Sequence, residues 1–72
     1  VEAAGRQITA IEMLRDFGNL ATLSQELRQT AHLRLSYPFA SLADLAALHE
    51  PPLSKSAVNH RIRTLLRLAS QL

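Results

Sequence analysis

Ser54, Lys55, Ser56, Asn59, His60, Arg63 and Arg67 lie close together in the chain, and every one of these side chains can donate a hydrogen bond while none is acidic. Donors gathered in this way, with no carboxylate among them, suit phosphates and the edges of nucleic-acid bases. The Asn59 amide places an acceptor beside a donor, which matches the N6 and N7 edge of adenine. The Arg63 fork matches the O6 and N7 acceptors of guanine, or a phosphate. Lys55 and Arg67 suit phosphates, and Ser54 and Ser56 stand with Lys55 at a helix start, where free backbone N–H groups also favour an anion.

That chemistry requires a shared face. At 3.6 residues per turn, Lys55, Ser56, Asn59, His60, Arg63 and Arg67 form one continuous stripe on a helix from Lys55 to about Ser70. Val58, Ile62, Leu65 and Ala69 gather on the other side as its core seam. Arg61 falls outside the stripe, beside Ala57 and Leu68, where a structural or phosphate-flanking role fits better than base readout. Pro51 and Pro52 stop the preceding helix, and Ser54 is an N-cap residue type whether or not it also meets a phosphate. A solvated polar face is the competing reading of the stripe, and a solvent-facing side chain that of His60.

The elements upstream supply the frame. A first helix is expected over Glu2 to Phe17, ended by Gly18 and Asn19. A second starts at Ser24 as N-cap and ends near Ser36, since Pro38 biases Tyr37 away from helical geometry; Leu27, Ala31 and Leu35 share its inner face. Ser41 followed by Asp44 has the form of a capping box ahead of Leu45 and Leu48, giving a short third helix to about His49. A short helix, a fixed turn and a longer helix with donors at its start make a helix-turn-helix, whose second helix enters the DNA major groove. The expected fold is all-α, a small four-helix domain, its last two helices packed through Leu42, Leu45, Val58 and Ile62.

The first helix is apolar around much of its circumference: Val1, Ala4, Ile8 and Ile11 form one stripe, and Ala10, Met13, Leu14 and Phe17 widen it. Such a surface is covered either by the rest of the bundle or by a preceding domain. The expected organisation is residues 1–19 as an N-terminal helix leading from a preceding domain and residues 20–72 as the helix-turn-helix DNA-binding unit.

Length and composition bound what else is possible. A chain of 72 residues makes one domain and buries only about 60% of its unfolded surface. Apolar residues are 47% of the chain, but Phe17, Tyr37 and Phe39 are its only aromatics, so Leu, Ile, Val and Ala must build the core, which favours helices. The lack of cysteine removes disulfides, cysteine zinc sites and thiol nucleophiles. No apolar run approaches the roughly 18 residues that cross a bilayer, and no secretory leader pattern is present. The expectation is a soluble cytoplasmic chain at the nucleoid. Charge is divided unevenly: residues 1–50 hold four arginines against six acids, whereas residues 51–72 hold Lys55, Arg61, Arg63 and Arg67 with no acid. An acid-free basic helix of this kind meets an anionic partner, here double-stranded DNA.

Catalysis has little support. Glu12 and Asp16 are one helical turn apart, but paired carboxylates on a helix are ordinarily solvated surface. His32, His49 and His60 lack metal-ligand spacing, and no glycine-rich phosphate loop or nucleophile motif occurs. No metal, cofactor or small-molecule substrate is expected. A protein partner in the transcription machinery is the stronger alternative, docked through apolar residues of the first helix or through Leu66 and Leu68.

The string "PPLSKSAVNHRIR", with "RQITAIEML" and "LRQTAHLRLSYPFASLADLA" upstream at matching spacing, resembles the C-terminal helix-turn-helix domain of the WhiA family of bacterial sporulation and cell-division regulators. The resemblance covers nearly the whole chain. It implies a domain similar to the DNA-binding region 4 of sigma factors, following an N-terminal region that resembles a LAGLIDADG homing endonuclease without nuclease activity. The family's signature falls on Ser54, Lys55, Ser56, Val58, Asn59, His60 and Arg61. The chain departs from the family pattern at Ala57, where Gly is common, and at Ala46 and Ala47, where a Gly-Glu pair is usual.

Overall fold

The computed structural model describes residues 2–18 and 20–72, the first two by backbone alone; these form four α-helices and one short 3₁₀ turn, without a strand. Helix α1 spans Glu2–Asp16. Its last turn closes through bonds from the Phe17 amide to the Met13 carbonyl (3.0 Å) and from the Gly18 amide to the Arg15 carbonyl (3.1 Å). Gly18 has φ 77°, a left-handed conformation that a β-carbon would strain, so glycine is what lets the chain leave the helix there. The expected partner of this stop, Asn19, lies outside the described residues. The 3₁₀ turn Leu20–Thr22, which the sequence pattern did not foretell, drops Leu20 into the core at 6% exposure.

Helix α2 covers Gln25–Ser36, capped by the Ser24 hydroxyl, which accepts from the Leu27 amide at 3.3 Å. Its inner face buries Ala31 fully and Leu27 and Leu35 partly. Thr30 and Arg34 are buried on that same face. The Arg34 guanidinium donates to the carbonyls of Ala40 (2.8 Å) and Pro38 (3.4 Å), and so stands in for missing backbone donors in the link to the next helix. Loss of solvent lowers its pKa from the ordinary arginine value.

Helix α3 is Leu42–Leu48 and opens with the expected capping box: the Asp44 amide donates to Ser41 Oγ at 3.1 Å, and the Ser41 amide to Asp44 Oδ2 at 3.2 Å. Helix α4 is Lys55–Ala69, with Ser54 Oγ accepting from the Ala57 amide at 3.1 Å. The connection is tied back onto α3 by a bond from the Leu53 amide to the Ala46 carbonyl, 2.9 Å.

Helix α4 packs against α1, α2 and α3 together. Its Val58, Ile62, Leu65 and Ala69 join Ile11 and Leu14 of α1, Ala31 of α2, and Leu45 and Ala46 of α3 in one hydrophobic cluster. Leu42 packs against this cluster while staying partly exposed. Burying a side chain the size of Ile62 contributes roughly 1.5–3 kcal/mol, a large share for a domain this small. The bundle covers Ala10, Ile11 and Leu14 of the broad α1 surface but leaves Met13 38% and Phe17 68% exposed; Val1 lies outside the described residues.

Candidate nucleic-acid interface

With three helices around it, α4 keeps one face toward solvent, and that face is the polar stripe. A shallow groove of about 520 Å³ runs along it, lined by Ser56, Asn59, His60, Arg63, Thr64 and Arg67. Ser56, His60, Arg63 and Arg67 are exposed, and Asn59 is half-buried one turn into the helix. Five of the seven candidate side chains therefore line one concavity. The other two sit at its N-terminal end: Ser54 spends its hydroxyl on the cap, and Lys55 is the exposed first helical residue, outside the groove lining.

No acid lines the groove, and among the described residues the side chains of Ser56, Asn59, His60, Arg63 and Arg67 make no hydrogen bond or ion pair. Among the described residues an ion pair is formed by Arg15 with Asp16 (3.4 Å), on α1 and outside the groove. The donors on α4 are thus open to solvent, and a carboxylate-free wall is the kind that suits an anionic or acceptor-rich group. Thr64 was missed from the sequence. Its hydroxyl donates to the His60 carbonyl at 3.0 Å, so it shapes the wall without offering a free donor.

Behind the groove a polar chain, buried at Thr30 and His49 and part-buried at Arg61, links three helices. His49, at the end of α3 and 1% exposed, has Nδ1 2.7 Å from the Leu45 carbonyl, which can only accept. In the neutral ring Nδ1 therefore carries the proton, and Nε2 accepts from the Thr30 hydroxyl of α2 at 2.8 Å. Arg61 of α4 donates to the Thr30 hydroxyl oxygen (3.5 Å) and to the Glu26 carbonyl (3.3 Å). Arg61 thus points away from the groove and holds α4 against α2, which is the structural role its position off the stripe suggested. A sequence signal for this chain existed: Leu27, Thr30, Ala31 and Arg34 share the i, i+3, i+4, i+7 spacing, so two polar residues occupy the core face of α2.

Among the described residues, no cluster of three or more histidines or carboxylates can hold a metal ion, and no helix is long and apolar enough to cross a membrane.

The family model for the WhiA C-terminal HTH domain matches residues 1–69. The chain is similar to a probable cell division protein WhiA of Desulforamulus reducens, 50% identical over 72 residues, which are all of this chain and 22% of that protein. It is likewise similar to proteins of the same description from Symbiobacterium thermophilum (49% identity over 71 residues, 99% of this chain and 23% of the relative) and Halothermothrix orenii (44% over 72 residues, 100% and 23%). The chain spans less than a quarter of the length of these curated relatives. No solved structure matches it significantly. A helix-turn-helix family is a family of binding modules, in keeping with the reading that this chain is not an enzyme. With its four helices in this order and the family match running from the first residue almost to the last, the chain belongs to the WhiA C-terminal helix-turn-helix domain family.

Proposed function

We propose that the chain is the DNA-reading domain of a bacterial transcriptional regulator, with α4 as the recognition helix in the major groove of double-stranded DNA. The observation that carries this reading is the acid-free groove on α4, whose side-chain donors other than Thr64 have no partner within the described residues. In the docked arrangement Asn59 and Arg63 meet base edges, His60 flanks them, and Ser54, Lys55, Ser56 and Arg67 meet phosphates on either side. The Thr30–His49–Arg61 chain ties α4 to its neighbours, so the helix that carries the base-reading side chains need not be reoriented at each encounter. The relatives' description as probable cell division proteins supports a role in the control of division genes, at the nucleoid in the cytoplasm. In the longer protein, α1 is the element that joins this domain to what precedes it.

The test is fluorescence anisotropy on labelled duplexes across a salt series. Binding by phosphate contacts falls linearly in log–log form with salt, and a lone module on random sequence is expected to bind with a Kd of about 10⁻⁴ to 10⁻⁶ M at physiological salt. Retention on DNA that high salt does not disturb would remove the electrostatic reading of α4.

A further inference from the structure

A second cationic site lies away from the α4 groove. A notch of about 290 Å³ between the end of α1 and the outer side of α2 is lined by Arg15, Gly18, Leu20, Ala21, Arg28 and His32. Arg28 is half-buried, its Nε is buried without a hydrogen-bond partner, and among the described residues its guanidinium forms no ion pair. The Nε is closed to solvent, so an incoming carboxylate meets the two terminal nitrogens, which among the described residues have no partner either, through charge-assisted hydrogen bonds. His32 stands one helical turn from Arg28 on the same face, and Arg15 reaches Asp16 only through its Nε. Gly18 has no side chain to close the opening.

We propose that this notch is a docking site for an acidic segment of a protein partner, with Arg28 holding a carboxylate and an apolar neighbour of that carboxylate resting on Phe17 and Ala21. Phe17 is not part of the lining but precedes Gly18 in the chain and is 68% exposed, so an apolar side chain arriving at the notch finds an uncovered aromatic one residue from its rim. Two observations set the notch apart from a DNA contact. Thr30 of α2 turns toward Arg61 of α4, whereas Arg28 and His32 lie nearly half a turn round α2 from Thr30, facing away from the recognition helix. Glu12 and Asp16 also flank Arg15 on α1. Those carboxylates repel the dense charge of a duplex, about one per 1.7 Å of axis, while a single acid can still reach Arg28.

The experiment is an NMR titration of the ¹⁵N-labelled chain with a blocked peptide carrying one aspartate between two leucines, alongside its asparagine twin. Saturable shifts at the Arg28 Nε–H, the His32 ring and the Phe17 amide are expected with the aspartate peptide. Binding roughly tenfold or more weaker is expected with the asparagine twin, the difference one charge-assisted bond makes. Arg28→Gln should abolish the shifts with the amide spectrum otherwise unchanged, and Arg28→Lys should restore them in part. A duplex added separately should move α4 signals and leave Arg28 unmoved. Equal binding of the two peptides, absence of saturable shifts up to millimolar peptide, or displacement of the peptide by duplex would each overturn the proposal. The last of these would make the notch a further phosphate contact.

Discussion

The Thr30 hydroxyl and His49 Nε2 lie 2.8 Å apart in the interior, joining the middle of α2 to the end of α3. Because Arg61 of α4 also reaches Thr30, one buried oxygen of α2 meets groups from two other helices. Thr30→Val keeps the shape and removes the oxygen, leaving His49 Nε2 without a donor and Arg61 with only the Glu26 carbonyl. An unsatisfied buried group costs about 1–3 kcal/mol. In a domain of this size each kcal/mol corresponds to roughly 4–8 °C in Tm. Thr30→Ser should retain most of the stability. A valine variant that melts with the parent would show that the chain of bonds orients the helices without stabilising them.

Ile62 is 1% exposed at the centre of the seam between α4 and the other helices. Ile62→Ala should lower stability by about 2–5 kcal/mol, through lost burial and the cavity left behind. Domains are stable by roughly 0.05–0.15 kcal/mol per residue, so much of this chain should unfold at 37 °C. Urea denaturation followed by circular dichroism measures it; an unshifted midpoint would mean that α4 is turned the other way.

What could be read from the sequence was local. Ser24, Ser41 and Ser54 were recognisable as caps because each bonds an amide three residues ahead, a relation contained in four residues of sequence. The two faces of α4 followed from the period of Val58, Ile62 and Leu65 against Asn59, His60 and Arg63. The spacing of Leu27, Thr30, Ala31 and Arg34 turned Thr30 inward, but its meeting with His49 and Arg61 was hidden because those partners are non-local. The Thr30–His49 bond spans 19 residues and the Arg61–Thr30 contact 31, and no window of sequence shows which polar groups will meet. The turn Leu20–Thr22 was missed because three residues carry no period. The groove residues were legible as a stripe, but Thr64 was not, since its hydroxyl is satisfied within its own helix.

Ser54 separates capping from DNA contact. Its hydroxyl holds the Ala57 amide, and aspartate caps a helix about as well as serine. Ser54→Asp should therefore match the parent in thermal stability while binding DNA more weakly, because a negative charge now sits where a phosphate is proposed. Ser54→Ala should cost about 1 kcal/mol of stability. If the aspartate variant binds duplexes as tightly as the parent, Ser54 is a cap alone.

Lys55 and Arg67 lie at opposite ends of the stripe, both exposed. In the proposed docking each neutralises a phosphate, so Lys55→Gln or Arg67→Gln should weaken preferred and random duplexes alike. Each should also reduce the slope of log affinity against log salt by about one unit. Anisotropy titrations at several salt concentrations measure both quantities. An unchanged slope for either variant would place that residue off the backbone.

Asn59 is the residue on which specificity rests. It is half-buried in the groove wall, one turn inside α4, with Lys55 four residues before it and Arg63 four residues after it. A helix held to the phosphates by its flanks directs this amide at base edges, and adenine presents there an acceptor and a donor that one amide matches with two hydrogen bonds. Asn59→Ala should leave non-specific binding nearly intact and cost about 1–3 kcal/mol on the preferred site, relaxing the choice at one base pair. Arg63→Ala separates the two jobs open to that side chain: a phosphate contact lowers both affinities together, whereas a guanine contact lowers only the specific one. The discriminating measurement is a selection of bound duplexes from a randomised pool, with parent and variant side by side. Equal loss on preferred and random duplexes would make Asn59 a backbone contact. No loss on either would turn the α4 groove from a reader of bases into a surface for something else.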